Sequence, residues 1–353
     1  METEALVEHV FSALLGTVET LAIHLGDQLG TYGYLHEHGP ATEAELAVGC
    51  GVNARYAREW LEQQTAARML TVDDAGLPAA ERRYTLPAEH APVLVDRDSV
   101  AFLAPFARMA GAAAAQLPAL LSAYRDGGGV AWSTYGATMR TGQADANRPL
   151  FLGPLGTELL PSVPDLDARL RAGASVADIG CGDGWSSIGI ARAYPQVRVD
   201  GFDIDAASVE QARRNAAAYD VADRVSFTLV DGSAAEGSGY DVVTFFECVH
   251  DMPDPVSVLA GARRLVADDG TVVVMDEKVA ETFAGPGDEV ERMMYGFSLL
   301  VCLPDGLSTP GSVGTGTVMR PSTLESYAVS AGFSALEVLP VEHDFFRFYR
   351  LLP

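Results

Sequence analysis

The stretch that most constrains this chain runs VADIGCGDGWSSIGI, from Val176 to Ile190. An apolar run ends there, Asp178, Gly180, Gly182 and Gly184 follow at alternate positions, and an apolar run then resumes. Glycine has no Cβ, so the backbone can take φ > 0 and a bulky ligand can lie against the main chain. Ser186 and Ser187 next open a helix whose free N–H groups face the same spot. Spacing excludes the GxGxxG dinucleotide loop, since counting from Gly180 puts Trp185 at the sixth place and counting from Gly182 puts Ser187 there.

The residues beyond the loop alternate strand with helix. The run Val197 to Phe202 reads as a strand ending at Asp203, about 20 residues on, where a doubly wound fold places the acid that accepts ribose hydroxyls. Asp203 can equally cap a helix over Ala206 to Ala218. Val225 to Val230 is a third strand, closed by Asp231, Gly232 and Ser233, an acid and glycine suited to an adenine edge. Asp241 to Phe246 and Gly270 to Met275 follow, with a helix over Pro255 to Val266 between them. This rhythm predicts a parallel sheet with right-handed crossovers.

The succession DIGCGDG, GFDID, LVDGS and FFECVHD resembles the class I S-adenosylmethionine (SAM) dependent methyltransferases, from Val163 to Pro353. The closing pair Ala335 to Val341 and Phe346 to Leu352 resembles the antiparallel hairpin that ends their sheets. The resemblance implies an α/β, Rossmann-like, mostly parallel seven-stranded sheet, SAM as cofactor and S-adenosylhomocysteine as product. It implies Asp178, Gly180, Gly182 and Gly184 at the methionine part of SAM, Asp203 at the ribose and Asp231 at the adenine, with Ile204, Gly232, Ser233 and Glu247 completing the set.

Upstream, Ala5 to Leu25 and Leu29 to Gly39 have helical spacing and offer a dimer seam. The pattern from Thr42 predicts helices over Glu43 to Val48 and Ala54 to Ala67, then wing strands at Met69 to Val72 and Arg83 to Leu86, a winged helix. Such helices often read DNA, which makes a SAM-sensing transcriptional regulator the rival function. The second helix is mixed, however, with Arg55 and Arg58 beside Glu59 and Glu62, and the whole chain carries a net charge of −24 that repels phosphates. A winged helix before a SAM domain resembles plant-type and bacterial small-molecule O-methyltransferases, and actinobacterial secondary-metabolite enzymes of which some methylate carbon 3 of indoles. There the first domain dimerises and covers the substrate. The expected organisation is therefore 1–98 winged helix, 99–162 bridging helices broken near Pro105 and Pro118, and 163–353 catalytic domain, in a homodimer.

No apolar run is expected to approach the roughly 18 residues of a membrane span, and the acidic N-terminus is unlike a leader, so a cytoplasmic location is expected. The four cysteines form no CxxC, and neither a disulfide framework nor a metal site is expected.

Chemistry is expected after the fourth strand, in FFECVHDMPDP, because open α/β sheets bind ligands beyond the carboxyl ends of their strands. His250 can take the proton of a phenol, amine or indole nitrogen, and Asp251 or Glu247 can orient it. The His-Asp pair resembles the catalytic histidine and its neighbour in plant-type O-methyltransferases, although Met252 stands where a tryptophan usually follows. Candidate contacts to an aromatic acceptor are Tyr34, Trp132, Tyr135, Trp185, Met294 and Phe297, each of which can equally be packing. The acceptor is expected to be a small molecule, with phenol oxygen and indole carbon 3 as the candidate atoms.

Overall fold

The computed structural model describes residues 2–352, and the chain divides into two compact units. The first runs to Ala115 and takes back Ala137–Pro149; the second holds Gln116–Gly136 and everything from Leu150. The segment 99–162, expected as a separate bridge, is thus divided between the two.

The first unit begins with α1 (Thr3–Leu29), which stops at Gly30 in the left-handed conformation, and α2 (Thr31–His38). The winged helix follows. α3 (Glu43–Cys50) starts on a capping box between Thr42 and Glu45, and α4 (Ala54–Ala66) starts on Asn53, whose side chain accepts the Arg55 N–H. The wing is β1 (Thr71–Val72) against β2 (Tyr84–Thr85), with a further bridge from Ala41 to Tyr84. Tyr32, Leu46, Trp60, Leu61 and Tyr84 fill its core, and the Trp60 indole N–H donates to the Ala22 carbonyl. After α5 (Ala91–Leu94) comes α6 (Ala104–Ala115), and in the second unit α7 (Leu117–Asp126). Pro105 and Pro118 lie at the first turns of α6 and α7, where the missing N–H is unneeded; the break expected near Pro118 is the one between α6 and α7, while Pro105 only starts α6.

α1 exposes a row of large apolar side chains, Leu6, Val7, Val10, Phe11, Leu14, Leu15 and Val18, each 46% to 65% accessible. An 18-residue window of this helix has a mean hydropathy of 1.4, long and apolar enough by composition to cross a membrane. That corrects the expectation that no run approaches a span, because the scattered acids of α1 do not offset its leucines, valines and alanines.

The second unit is built on a seven-stranded sheet. α8 (Trp132–Leu152) and α9 (Pro164–Arg171) lead into β3 (Ser175–Ile179), α10 (Trp185–Ala193), β4 (Arg198–Asp203), α11 (Ala206–Ala218), β5 (Val225–Leu229) and β6 (Tyr240–Phe246). Then come α12 (Pro255–Leu265), β7 (Val266–Glu277), α13 (Glu289–Phe297), α14 (Leu303–Leu307), α15 (Pro321–Ser330), β8 (Ala335–Val338) and β9 (Phe346–Leu352). The order across the sheet is β5-β4-β3-β6-β7-β9-β8, parallel from β5 to β7, with β9 antiparallel to both its neighbours. Alternate residues Ala177, Ile179, Val243, Phe245, Val272 and Val274 pack under α12 and α15. Burial on both faces explains why these strands read as continuous apolar runs. The chain reverses its direction of travel across the sheet between β3 and β6, which opens a crevice at their carboxyl ends.

Candidate active site

The glycine loop lies at that crevice. Gly180, Gly182 and Gly184 all have positive φ (71°, 51° and 81°), as their residue type permits and a side chain resists. The N–H groups of Gly180 and Cys181 donate to the Phe202 carbonyl, and that of Gly182 to Asp203 Oδ2 at 2.8 Å, so the end of β4 holds the loop. A Cβ on Gly184 would meet the Phe227 ring at 2.5 Å, whereas one on Gly182 would meet nothing within 4 Å. Gly182 therefore faces the open side.

Asp178 does not. Its carboxylate is 1% exposed and accepts from the Ser186 and Ser187 hydroxyls at 2.6 Å and from Thr244 at 2.8 Å. Burial pushes its carboxyl up, against those three donors. It ties the start of α10 to the middle of β6 and so positions the loop. Asp203 accepts from Gly182 and Asp205 N–H groups, one on each oxygen, and burial raises its carboxyl. Each oxygen keeps a second lone pair. Next to it Ile204 is 69% exposed, as is half of Leu229, an apolar surface that nothing in the unit covers and that suits a purine face. Asp231 caps the turn Gly232–Ala234 through the Ser233 N–H and hydroxyl. The open Gly182, the lone pairs of Asp203 and the bare Ile204 fit an adenosyl ligand.

His250 stands on the turn Val249–Asp251 that follows β6. The turn leans on the glycine loop, because Cys248 Sγ would lie 2.8 Å from a Cβ on Gly180. Glu247 precedes it at φ 58°, left-handed although not glycine, with its N–H on the Met275 carbonyl. His250 is 3% exposed; Nδ1 lies 2.8 Å from Asp276 Oδ1 and 3.1 Å from Glu277 Oε2, and Nε2 lies 3.3 Å from Asp251 Oδ1. Burial alone pushes the imidazole down, but the Asp251, Glu277 and Asp276 carboxylates outweigh it and hold the ring well above the usual histidine range. Burial also pushes Glu277 up, while His250 keeps Asp276 below the usual carboxylate range against its burial.

Sequence reading missed Asp276 and Glu277, having ended the strand at Met275; the apolar run VVVM closing on two acids at a strand's carboxyl end was the available signal. It also missed Cys302 and Asp305. A π-helical turn, Ser298–Cys302, brings Cys302 to the far side of His250, and three potential ligand atoms from His250, Asp251 and Cys302 lie within 4.8 Å of one another, as do those of His250, Asp276 and Glu277. Asp305 on α14 accepts the Trp132 backbone N–H at 2.7 Å.

Of the aromatic candidates, Tyr135 is buried with its hydroxyl on the Leu300 carbonyl, and Trp132 is half-buried beside Asp305. Met294 is buried on α13 and Phe297 half-buried at its end. Trp185 packs edge-on against Tyr219, with ring centroids 5.6 Å apart, and so fills the space between α10 and α11. Tyr34 belongs to the first unit, stacked on His38 and lying where a Gly49 side chain would go. Both have ring partners within their own units.

Residues 177–272 match the family described as methyltransferase domain, and residues 17–96 the Rv2258c-like winged HTH domain. The ubiquinone biosynthesis O-methyltransferase of Pseudomonas aeruginosa (strain UCBPP-PA14) is 30% identical over 177 residues, 49% of this chain and 70% of that protein. The chain belongs to the SAM-dependent methyltransferase family. The 27-O-demethylrifamycin SV methyltransferase of Amycolatopsis mediterranei (strain S699) is 36% identical over 126 residues, 35% of this chain; the chain spans only 46% of that relative's length. Among solved structures, the mitomycin 7-O-methyltransferase MmcR superposes with a TM-score of 0.73 at 22% identity, over 99% of this chain and 98% of that one, a likeness of fold. In this fold the glycine loop, Asp203 and Asp231 lie together at the carboxyl ends of β3, β4 and β5.

Proposed function

We propose that the chain transfers the methyl group of SAM to a small aromatic acceptor, with His250 taking the acceptor's proton. The observation that carries this is the Nδ1 contact of His250 with Asp276, on a turn that leans directly on the glycine loop. Bound at that loop, SAM supplies a methyl carbon on a sulfonium that already carries the driving force. The chain's own part is alignment and proton handling. Asp276 accepts the Nδ1–H of neutral His250, which leaves the Nε2 lone pair to take the proton of a phenol as its oxygen turns nucleophile. The relatives named above favour a hydroxyl oxygen; for an indole attacking from carbon 3, the same nitrogen would take the ring N–H proton. Incubation with labelled SAM and a panel of phenols, indoles and amines, read by mass spectrometry, should give a methylated product. Failure to bind SAM in calorimetry would remove the enzymatic reading.

The regulator reading loses support from the winged helix itself. Four of its five arginines are paired within the unit, Arg55 with Glu59, Arg58 with Glu43, Arg82 with Glu62 and Arg83 with Glu45, which leaves Arg68 and no stripe. Phosphate contact needs an unpaired basic stripe.

A second copy of this chain is the partner that suits the apolar row on α1. Its residues recur at helical spacing along one seam, as a helix-to-helix contact between copies requires. Light scattering should give a dimer, and the double substitution Phe11→Asp and Leu14→Asp should give a folded monomer. A monomeric parent, or a parent that sediments with phosphatidylcholine vesicles through α1, would overturn this.

A further inference from the structure

Around His250 the charges do not balance. Asp276 and Glu277 face one ring nitrogen and Asp251 the other, and Asp305 lies close enough to Asp251 for the two to repel. Among the described residues none of the four carboxylates has a lysine or arginine in ion-pair contact; Asp251, Asp276 and Glu277 share one imidazole as counter-charge. Elsewhere the protein pairs its acids freely, as with Glu291 on Arg320 and Asp165 on Arg350.

Independently of charge, the cluster is short of hydrogen-bond donors. Asp276 Oδ2, on a side chain 1% exposed, is buried and accepts no hydrogen bond from a donor nitrogen, while Glu277 Oε2 and Asp251 Oδ1 have only the His250 ring nitrogens beside them, at 3.1 Å and 3.3 Å. A single ring nitrogen carries at most one proton and cannot satisfy two carboxylates. Buried carboxylate oxygens without donors are rare in folded chains and mark a missing ligand, ion or proton. Burial and the neighbouring Asp251 push the Asp305 carboxyl up to about 6, in keeping with acids crowded together without a cation.

One side of the cluster is open: the Asp251 side chain is 38% exposed and Asp305 is half-buried. At that side the Trp132 backbone N–H donates to Asp305 Oδ1 at 2.7 Å and holds that carboxylate in place. Carboxylates gathered at an open side select an organic cation through charge-assisted hydrogen bonds. They repel carboxylate-bearing or phosphorylated acceptors.

We propose that the acceptor carries a protonated amine, that Asp251 and Asp305 hold its ammonium, and that this contact presents the nucleophilic ring atom to His250. The inference rests on the methyltransferase reading above and names the chemical class of its acceptor.

The test uses matched probes that keep the ring and change the tail: tyramine, N-acetyltyramine and 4-hydroxyphenylpropionate, then tryptamine, N-acetyltryptamine and indole-3-propionate. Each is titrated into the full chain saturated with S-adenosylhomocysteine, followed by calorimetry, and each is assayed with labelled SAM. The amine should bind at least about tenfold more tightly than its acetyl analogue, and the carboxylate least. Asp305→Asn should bring the amine-to-acetyl ratio close to one, since the carboxamide can still accept the Trp132 N–H but carries no charge. If the protein binds S-adenosylhomocysteine but takes amine and acetyl analogue equally, the amine proposal fails while the methyltransferase reading stands. If it does not bind S-adenosylhomocysteine, that reading fails first. An amine preference that appears only after chelation with EDTA would mean that a metal ion is the cluster's cation, and would overturn the proposal.

Discussion

Replacing His250 by alanine should lower kcat by about 100-fold, ~2.7 kcal/mol of transition-state stabilisation, with SAM affinity nearly kept. The group must be neutral to accept a proton, and its folded pKa is held well above 6.5 by three carboxylates that outweigh burial. The activity of the parent should therefore rise with pH, along a limb that lies above 6.5 and not at it. Removing one of those carboxylates, as Asp276→Asn, should move the limb to lower pH, because less negative charge then favours the imidazolium. It should also lower kcat, since an amide can donate to Nδ1 and so put the proton on the reacting nitrogen. A merely structural histidine would lower stability without moving the profile. Because alanine at 250 strands Asp276 and Glu277 in the interior, His250→Asn and a calorimetric SAM titration accompany it. Unchanged turnover at saturating acceptor, or a profile flat from pH 6 to about 9, would remove His250 as the proton acceptor.

The glycine loop should respond differently at two positions two residues apart. Alanine at Gly184 must take φ 81° and place its Cβ 2.5 Å from the Phe227 ring and 2.9 Å from Ala212. Left-handed backbone costs about 1–2 kcal/mol and overpacking about 1–3 more, so Gly184→Ala should lower Tm by several degrees. Alanine at Gly182 takes φ 51° and meets nothing, so most of its cost should fall on the ligand that approaches that open face. Gly182→Ala should keep most of the thermal stability and weaken SAM at least about tenfold, ~1.4 kcal/mol. If both variants lose Tm equally and bind SAM alike, Gly182 does not face the cofactor.

Much of the second unit was readable because both faces of a parallel sheet are buried. Runs such as VVTFF and VVVM need no partner information to be recognised as strands, and the acids Asp203 and Asp231 announce themselves by closing two of them. His250 was found by the same rule. The partners that set its chemistry were not, since Asp276 is 26 residues on and Cys302 and Asp305 arrive by way of α13 and a π-helical turn. One partner of Asp178 was hidden for a related reason: its third hydroxyl donor, Thr244, is 66 residues away. At Pro105 a helix start was read as a break, because the two look alike until the preceding turn is known.

The way the chain is shared between the two units bears on how such a protein can be inherited. Residues 116–136 leave the first unit before it is finished, and Ala137–Pro149 return to complete it. Neither unit is therefore a contiguous stretch of gene. A recombination crossover placed near residue 98 would take Arg108 and Asp145 away from Asp27, and one near residue 163 would take Phe151, Leu155 and Leu159 away from the sheet. During synthesis the winged-helix unit waits for residue 149 before its last buried ion pair can close, so the ribosome delivers it late. Exchange of cofactor and acceptor halves between relatives should then proceed by point substitution within one inherited whole, not by shuffling of parts.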